Sequence, residues 1–310
     1  MTDEELKYSM KEKLNRLSTF AWQSRIHWEN VEEWLSNFDG KSGDADREQL
    51  HMLNLLSQFS YFGDREVKEM LKSLYRDHFK TPIVHDIRKQ EGGTRDRSLL
   101  ERKFNLILER TLFFGMGNPS ESGNHLLYYF RQENDLAKTQ FGNSASILDH
   151  NGDLANPQLD FYVFLDDLCA SGTQAKEYSG DIVQEIKAKK PSACVYYLCM
   201  CATTEGLEVV RNETAFDEIR TVFEFDETFR VFGDNSRYYV GGIDEFDKTY
   251  AYTVVEKYGR ALVGNDFLGY AGNQLLLSFY HNTPDNTLPI IWFDEAGSPW
   301  VPIFPRHQKI

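Results

Sequence analysis

The chain has 310 residues, 41% of them hydrophobic, with a formal net charge of −14. Such a composition excludes a disordered chain, and the length suggests about two domains, each able to bury a core. The acidic balance disfavours a broad nucleic-acid surface, no apolar run reaches the length of a membrane span, and the charged start MTDEELKYSMKEK is unlike a signal peptide, so a cytoplasmic protein is expected.

Residues 2–19 set Leu6, Met10, Leu14 and Leu17 at loose helical spacing. Trp22, Trp28 and Trp34 follow six apart, which fits no single helical stripe, so they are expected to anchor separate elements. After a polar break at 39–47, Leu50, Leu53 and Leu56 to Phe59 form an amphipathic run ending near Tyr61–Gly63. Asp64 then looks like the N-cap of a second helix carrying Val67, Met70, Leu71, Leu74 and Tyr75, which Pro82 ends. The short Gly63–Asp64 junction predicts an antiparallel helix pair. Residues 1–97 therefore read as a helical domain, either a docking module for a partner or a cap on the rest, with the polar stretch 88–97 as linker. Ser98 with Glu101 gives a capping-box signature for a helix over 99–110.

From there the pattern changes. Thr111–Met116 reads as a strand, and Gly117-Asn118-Pro119-Ser120-Glu121-Ser122-Gly123 as a turn rich in hydroxyls and glycine before a helix. His125 at the helix start reads as structural before catalytic, and Arg131 on that helix as a surface charge before a phosphate contact. Ile147–Leu148 is a candidate short strand and 150–158 a loop.

The stretch 161–174, FYVFLDDLCASGTQ, is the most informative in the chain. An unbroken apolar run, Phe161–Leu165, predicts a strand buried on both faces. Asp166 and Asp167 follow, then the small residues Ala170, Ser171, Gly172 and Thr173, then helix-forming sequence from Gln174. A strand's carboxyl end projects side chains into the crevice where open α/β sheets bind ligands. Small residues let backbone N–H groups close around an oxyanion. Phosphate in the turn and hydroxyls on the carboxylates is the arrangement a ribose 5-phosphate needs.

A helix is expected over 174–190, ended by Pro191, and its Lys187, Lys189 and Lys190 suit the helix dipole. Strands at 193–202 and 221–225, with a helix near 203–211 between them, complete an alternating pattern that predicts a parallel, doubly wound α/β sheet over 98–310. Right-handed crossovers would bring the ends of strands 111–116 and 161–165 to one rim. The four cysteines, Cys169, Cys194, Cys199 and Cys201, form no C-x-x-C pair and read as buried thiols. Towards the C-terminus, 250–258 starts a helix and 275–280 is apolar. HNTPDNTLP after it is a loop whose alternative role is a hood, with Asn282, Asn286 and Thr287 on a nucleobase edge and Tyr280 or Trp292 stacking on the ring.

The 161–174 stretch resembles the phosphoribosyl diphosphate motif of type I phosphoribosyltransferases. The resemblance implies that Asp166 and Asp167 bind the ribose 2- and 3-hydroxyls, and that Ala170, Ser171, Gly172, Thr173 and Gln174 cradle the 5-phosphate. Gln174 departs from the second Thr that many members carry. The same likeness makes Asn118, Ser120, Glu121, Ser122 and Gly123 the pyrophosphate loop; Glu121 is out of place there, since its carboxylate repels pyrophosphate unless Mg²⁺ lies between them. Over most of the chain GNPSESGNHLLYYFRQEN, LDDLCASGTQ and HNTPDNTLPIIW look like phosphoribosyltransferase-like proteins of bacterial conflict systems, some of them retron accessory effectors. That implies a phosphoribosyltransferase-like, Rossmann-like fold behind a helical N-terminal domain. It also implies glycosyl transfer or cleavage at ribose C1 of a nucleotide or phosphoribosyl diphosphate, and an antiphage role with defence-system partners such as a reverse transcriptase complex. The alternative is an inactive nucleotide sensor or scaffold.

Overall fold

The computed structural model describes residues 2–117, 122–240 and 246–306. Helices α1 (Asp3–Phe20), α2 (Trp28–Leu35) and α3 (Ala45–Leu56) lead to strand β1 (Ser60–Phe62). Helix α4 (Asp64–Ser73) passes through a π-helical turn, Leu74–Lys80, into α5 (Thr81–Gln90), and α6 (Arg97–Leu108) follows. Strands and helices then alternate: β2 (Thr111–Gly115), α7 (Ser122–Glu133), β3 (Phe161–Cys169), α8 (Thr173–Tyr178), α9 (Gln184–Lys189), β4 (Cys194–Thr203), α10 (Thr204–Glu213) and β5 (Glu218–Phe225). Helix α11 (Lys248–Val263), strand β6 (Leu277–Phe279) and α12 (Pro289–Trp292) close the chain. No helix among the described residues is long and apolar enough to cross a membrane.

The chain forms two compact units, one made of Met1–Glu66 with Glu227–Ile310, the other of Val67–Asp226. The second unit is built on a four-stranded parallel sheet in the order β2-β3-β4-β5. On one face Phe114, Tyr162, Phe164 and Tyr197 share a core with Ala175, Val183, Ile186 and Leu207 from the α8–α10 side. Phe113 turns the other way, its ring 5.2 Å from Phe130 of α7 and 5.4 Å from Phe79 of the π-helical turn. Both faces are covered, which is why Phe161–Leu165 of β3 and Cys194–Ala202 of β4 are continuous apolar runs rather than alternating ones. Each large side chain fully buried there contributes about 1.5–3 kcal/mol. The expected fold class, a parallel α/β sheet between helical layers, is the one observed.

Several local expectations are corrected. Pro82 does not end a helix; it sits in the first turn of α5, where a missing N–H costs nothing. The π-helical turn before it carries the chain into that position, with the Thr81 N–H reaching the Arg76 carbonyl. The cap of α6 is Asp96, whose side chain accepts from the Leu99 N–H at 3.1 Å, rather than Ser98. Residue 97, the expected domain boundary, is the first residue of α6 within the second unit.

In the first unit, Gly63 does not simply join two helices. Strand β1 lies before it and pairs in parallel with β6, Ser60 opposite Leu277 and Phe62 opposite Phe279. Around this pair α1, α2, α3, α11 and α12 gather Trp22, Trp34, Phe38, Leu53, Val254 and Ile290 into one core. Trp28 and Trp34 share α2, so the tryptophans do not each hold a separate element. Trp34 is fully buried, and its indole N–H donates to the Ile290 carbonyl at 2.8 Å. Trp34→Phe deprives that carbonyl of its donor, and should lower the unfolding free energy by about 1–3 kcal/mol in urea denaturation.

Candidate functional site

Strand β3 does not stop at Leu165. It stays paired with β4 past the acids, Asp166 opposite Cys199, Leu168 opposite Cys201 and Cys169 opposite Ala202. Asp166 and Asp167 are therefore strand residues that differ in burial, and their carboxyl groups stay close enough to interact through charge and a side-chain hydrogen bond. Asp166 turns into the Tyr162–Phe164 core and is only 4% exposed. Its Oδ2 lies 2.7 Å from the Tyr197 hydroxyl, and its Oδ1 accepts from the Asp167 N–H at 3.0 Å. Asp167 is half-buried, and its Oδ1 accepts from the Leu168 N–H at 2.8 Å.

Burial, then the charge of Asp167, pushes the Asp166 carboxyl up to about 8, against the downward pull of the Tyr197 hydroxyl. Burial likewise raises the Tyr197 hydroxyl well above its ordinary range and the Cys169 thiol to about 12. All four thiols are free; Cys169, Cys199 and Cys201 are buried, as the sequence implied, while Cys194 is half-buried.

The bend after β3 is short because the backbone inverts at Gly172, whose φ is +74°. A left-handed residue there turns the strand directly into α8. Ala170 is buried, Ser171 and Thr173 are half-exposed, and Gln174 is exposed. The Ser171 hydroxyl donates to the Thr173 hydroxyl at 3.0 Å and accepts from the Thr173 N–H at 3.3 Å.

Two residues that the sequence did not flag fix this bend from the next crossover. Thr203 caps α10; its hydroxyl donates to the Ala170 carbonyl at 2.5 Å and accepts from the Gly206 N–H at 2.9 Å. Gly206 lies so close that a Cβ on it would meet the carbonyl oxygens of Cys169 and Ala170 at 2.6 Å. The signal was available: Thr203 ending an apolar strand, with Thr, Glu and Gly after it, is a helix-cap pattern with room for close backbone approach.

Because β2 and β3 are parallel, β2 ends on the same rim as the bend. Of the five residues expected to grip pyrophosphate, Asn118, Ser120 and Glu121 lie outside the described residues, while Ser122 and Gly123 open α7. The C-terminal candidates belong to the first unit, and each takes part in shaping the loop after β6. Thr287 is fully buried and donates to the Leu277 carbonyl at 2.7 Å. The Asn286 amide donates to Asn273 Oδ1 at 2.7 Å. Asn282 Oδ1 accepts from the Thr283 N–H at 3.0 Å, and the Trp292 indole donates to the Thr287 carbonyl at 2.7 Å. Among the described residues no group of three or more His, Cys, Asp or Glu is gathered as a metal cage.

Two outcomes follow from this geometry. Gly206→Ala should destabilise by about 1–3 kcal/mol, since the backbone of the bend must shift to admit the methyl group; Gly180→Ala, where an added Cβ meets nothing within 4 Å, serves as the control in the same denaturation series. The second concerns pH. Burial holds the folded carboxyl of Asp166 well above the unfolded value of about 3.9. Stability from holding that proton is fully present below the unfolded value and is lost as pH rises through the folded one. Asp166→Asn abolishes this loss, so the melting temperature of the variant relative to wild type should be higher at pH 8.5 than at pH 5.5.

A solved structure of Helicobacter pylori xanthine-guanine-hypoxanthine phosphoribosyltransferase is similar to 54% of this chain and 88% of its own, at 12% identity and a TM-score of 0.28. A likeness that loose places no residue. No curated protein matches. The model of the PRTase-CE family matches residues 31–306, nearly the whole length, and the chain belongs to that family.

Proposed function

We propose that this chain is a phosphoribosyltransferase-like enzyme acting at ribose C1 of phosphoribosyl diphosphate or a nucleotide. One arrangement supports the reading: half-exposed Asp167 stands near the carboxyl end of β3, five residues before the left-handed Gly172, which the half-exposed Ser171 and Thr173 flank. The bend suits a 5-phosphate, and the carboxylate suits the sugar hydroxyls beside it. Loss of the group at C1 builds positive charge on the ring, as in glycoside cleavage. A fixed carboxylate near the ring stabilises that charge and holds the sugar in position.

Mg²⁺ would supply charge neutralisation on a diphosphate leaving group. Hard oxygen donors and few protein ligands are what Mg²⁺ takes when it arrives on phosphates. Asp167 fits that use, and the described residues build no separate cage for the ion.

The finer assignment, an effector in antiphage defence held by a reverse transcriptase complex, rests on the resemblance of the three stretches quoted above. A second reading, a nucleotide sensor that binds without turnover, is favoured by exposed Gln174 and by the mutual hydrogen bond of Ser171 and Thr173.

Calorimetric titration of phosphoribosyl diphosphate with Mg²⁺ tests the assignment. Asp167→Asn should weaken binding by about 10- to 100-fold, the worth of hydrogen bonds to a charged group; equal affinity in variant and wild type would sink it. Incubation with nucleotides, NAD and phosphoribosyl diphosphate, followed by assay for free base and pyrophosphate, separates the enzyme from the sensor.

A further inference from the structure

Adjacent acids at the end of this strand invite the view that they act as a pair on the ribose diol. Their surroundings here are unequal. Asp166 is 4% exposed and sits among Tyr162, Phe164 and Tyr197, with Cys169 and Cys199 nearby. Both its oxygens are engaged from within the protein, Oδ2 with the Tyr197 hydroxyl at 2.7 Å and Oδ1 with the Asp167 N–H at 3.0 Å. Tyr197 is itself fully buried. A sugar hydroxyl that reached Asp166 would have to displace one of those bonds inside an apolar core, leaving a buried donor unmatched. Asp167 is half-exposed.

We infer that Asp166 is a positioning residue, anchored by Tyr197 and holding the backbone of Asp167 from inside the core, and that Asp167 alone engages the sugar diol. The bond that does the positioning is the one from the Asp167 N–H to Asp166 Oδ1: it fixes the peptide that carries the Asp167 side chain. Burial raises the Asp166 carboxyl and so favours its protonated form. An asparagine keeps the bond that does the positioning: its carbonyl oxygen accepts the Asp167 N–H, while its amide cannot accept from the Tyr197 hydroxyl as Oδ2 does.

This inference rests on the proposed sugar-phosphate site and refines it. Wild type, Asp166→Asn, Asp166→Ala and Asp167→Asn are titrated with phosphoribosyl diphosphate and Mg²⁺ at pH 7. Asp166→Asn should bind within about twofold of wild type, as expected for a site the ligand does not touch. Asp167→Asn and Asp166→Ala should each lose about tenfold or more, the second because the Asp167 peptide loses its acceptor. Rescue by asparagine but not alanine is what a direct grip on the diol would not give. If Asp166→Asn falls as far as Asp167→Asn, the inference is overturned while the sugar-phosphate site stands. Absence of binding by wild type overturns both.

A second arm does not depend on any Asp166 variant folding. Wild type should prefer ribose 5-phosphate to 2-deoxyribose 5-phosphate, and Asp167→Asn should show no preference. A preference that survives in Asp167→Asn assigns a hydroxyl to Asp166 and overturns the inference.

Discussion

The pairing of β3 with β4 beyond the acids, from Asp166 to Cys169, is the constraint on which the candidate site depends. The register runs through Asp166–Cys199 and Leu168–Cys201, and it divides the two acids by burial while their carboxyl groups still interact. Had the ladder ended at Leu165, both carboxylates could have rotated out together. The division sends one carboxyl into a core of Tyr162, Phe164 and Tyr197. A carboxylate there would carry a heavy desolvation penalty. It is met by two hydrogen bonds and by retention of a proton, so the group becomes a piece of the scaffold rather than a free anion.

The same logic governs the bend. In the core of β3 and β4 the side chains of Tyr162 and Phe164, and of Val195, Tyr197 and Cys199, keep to alternate residues. Cys169 and Ala202 then rejoin that core out of phase, so each strand slips by one residue near its end. The chain must leave the sheet within three residues after Cys169, and Gly172 does this with positive φ. What keeps the exit in place is the first turn of α10. Thr203 holds the Ala170 carbonyl, and Gly206 removes the side chain that would push it away. A bend fixed by its neighbour can present hydroxyls and backbone without relying on their own hydrogen bonds for shape.

Most of the parallel sheet was legible because burial on both faces writes itself as unbroken apolar runs, as in Phe161–Leu165 and Ala193–Ala202. The turn itself was legible because a run of small residues with glycine after an apolar strand marks a tight bend. Strand β1 was not legible: three residues pairing with Leu277–Phe279, over two hundred positions away, leave no period to detect. The run through Pro82 was misread because proline's tolerance depends on where the turn falls, and the π-helical turn that sets this has no sequence signature of its own. Thr203 and Gly206 lay unmarked because their partners are backbone carbonyls on another crossover, and carbonyls are the same in every residue.

The unequal acids show why a motif and its geometry carry different information. The letters DD state only that two carboxyl groups are adjacent. Whether they work as a pair depends on Tyr197, thirty-one positions away and hydrogen-bonded to one of them. A tyrosine in the middle of a buried strand, with its hydroxyl far from solvent, needs a polar partner in the core. Asp166 is that partner here, and each group makes the burial of the other tolerable. The requirement runs both ways: a phenylalanine at 197 would strand a carboxyl, and an apolar residue at 166 would strand a hydroxyl. A pair bound to each other in this way is poorly placed to bind a third group, whereas Asp167 beside it stays half in solvent.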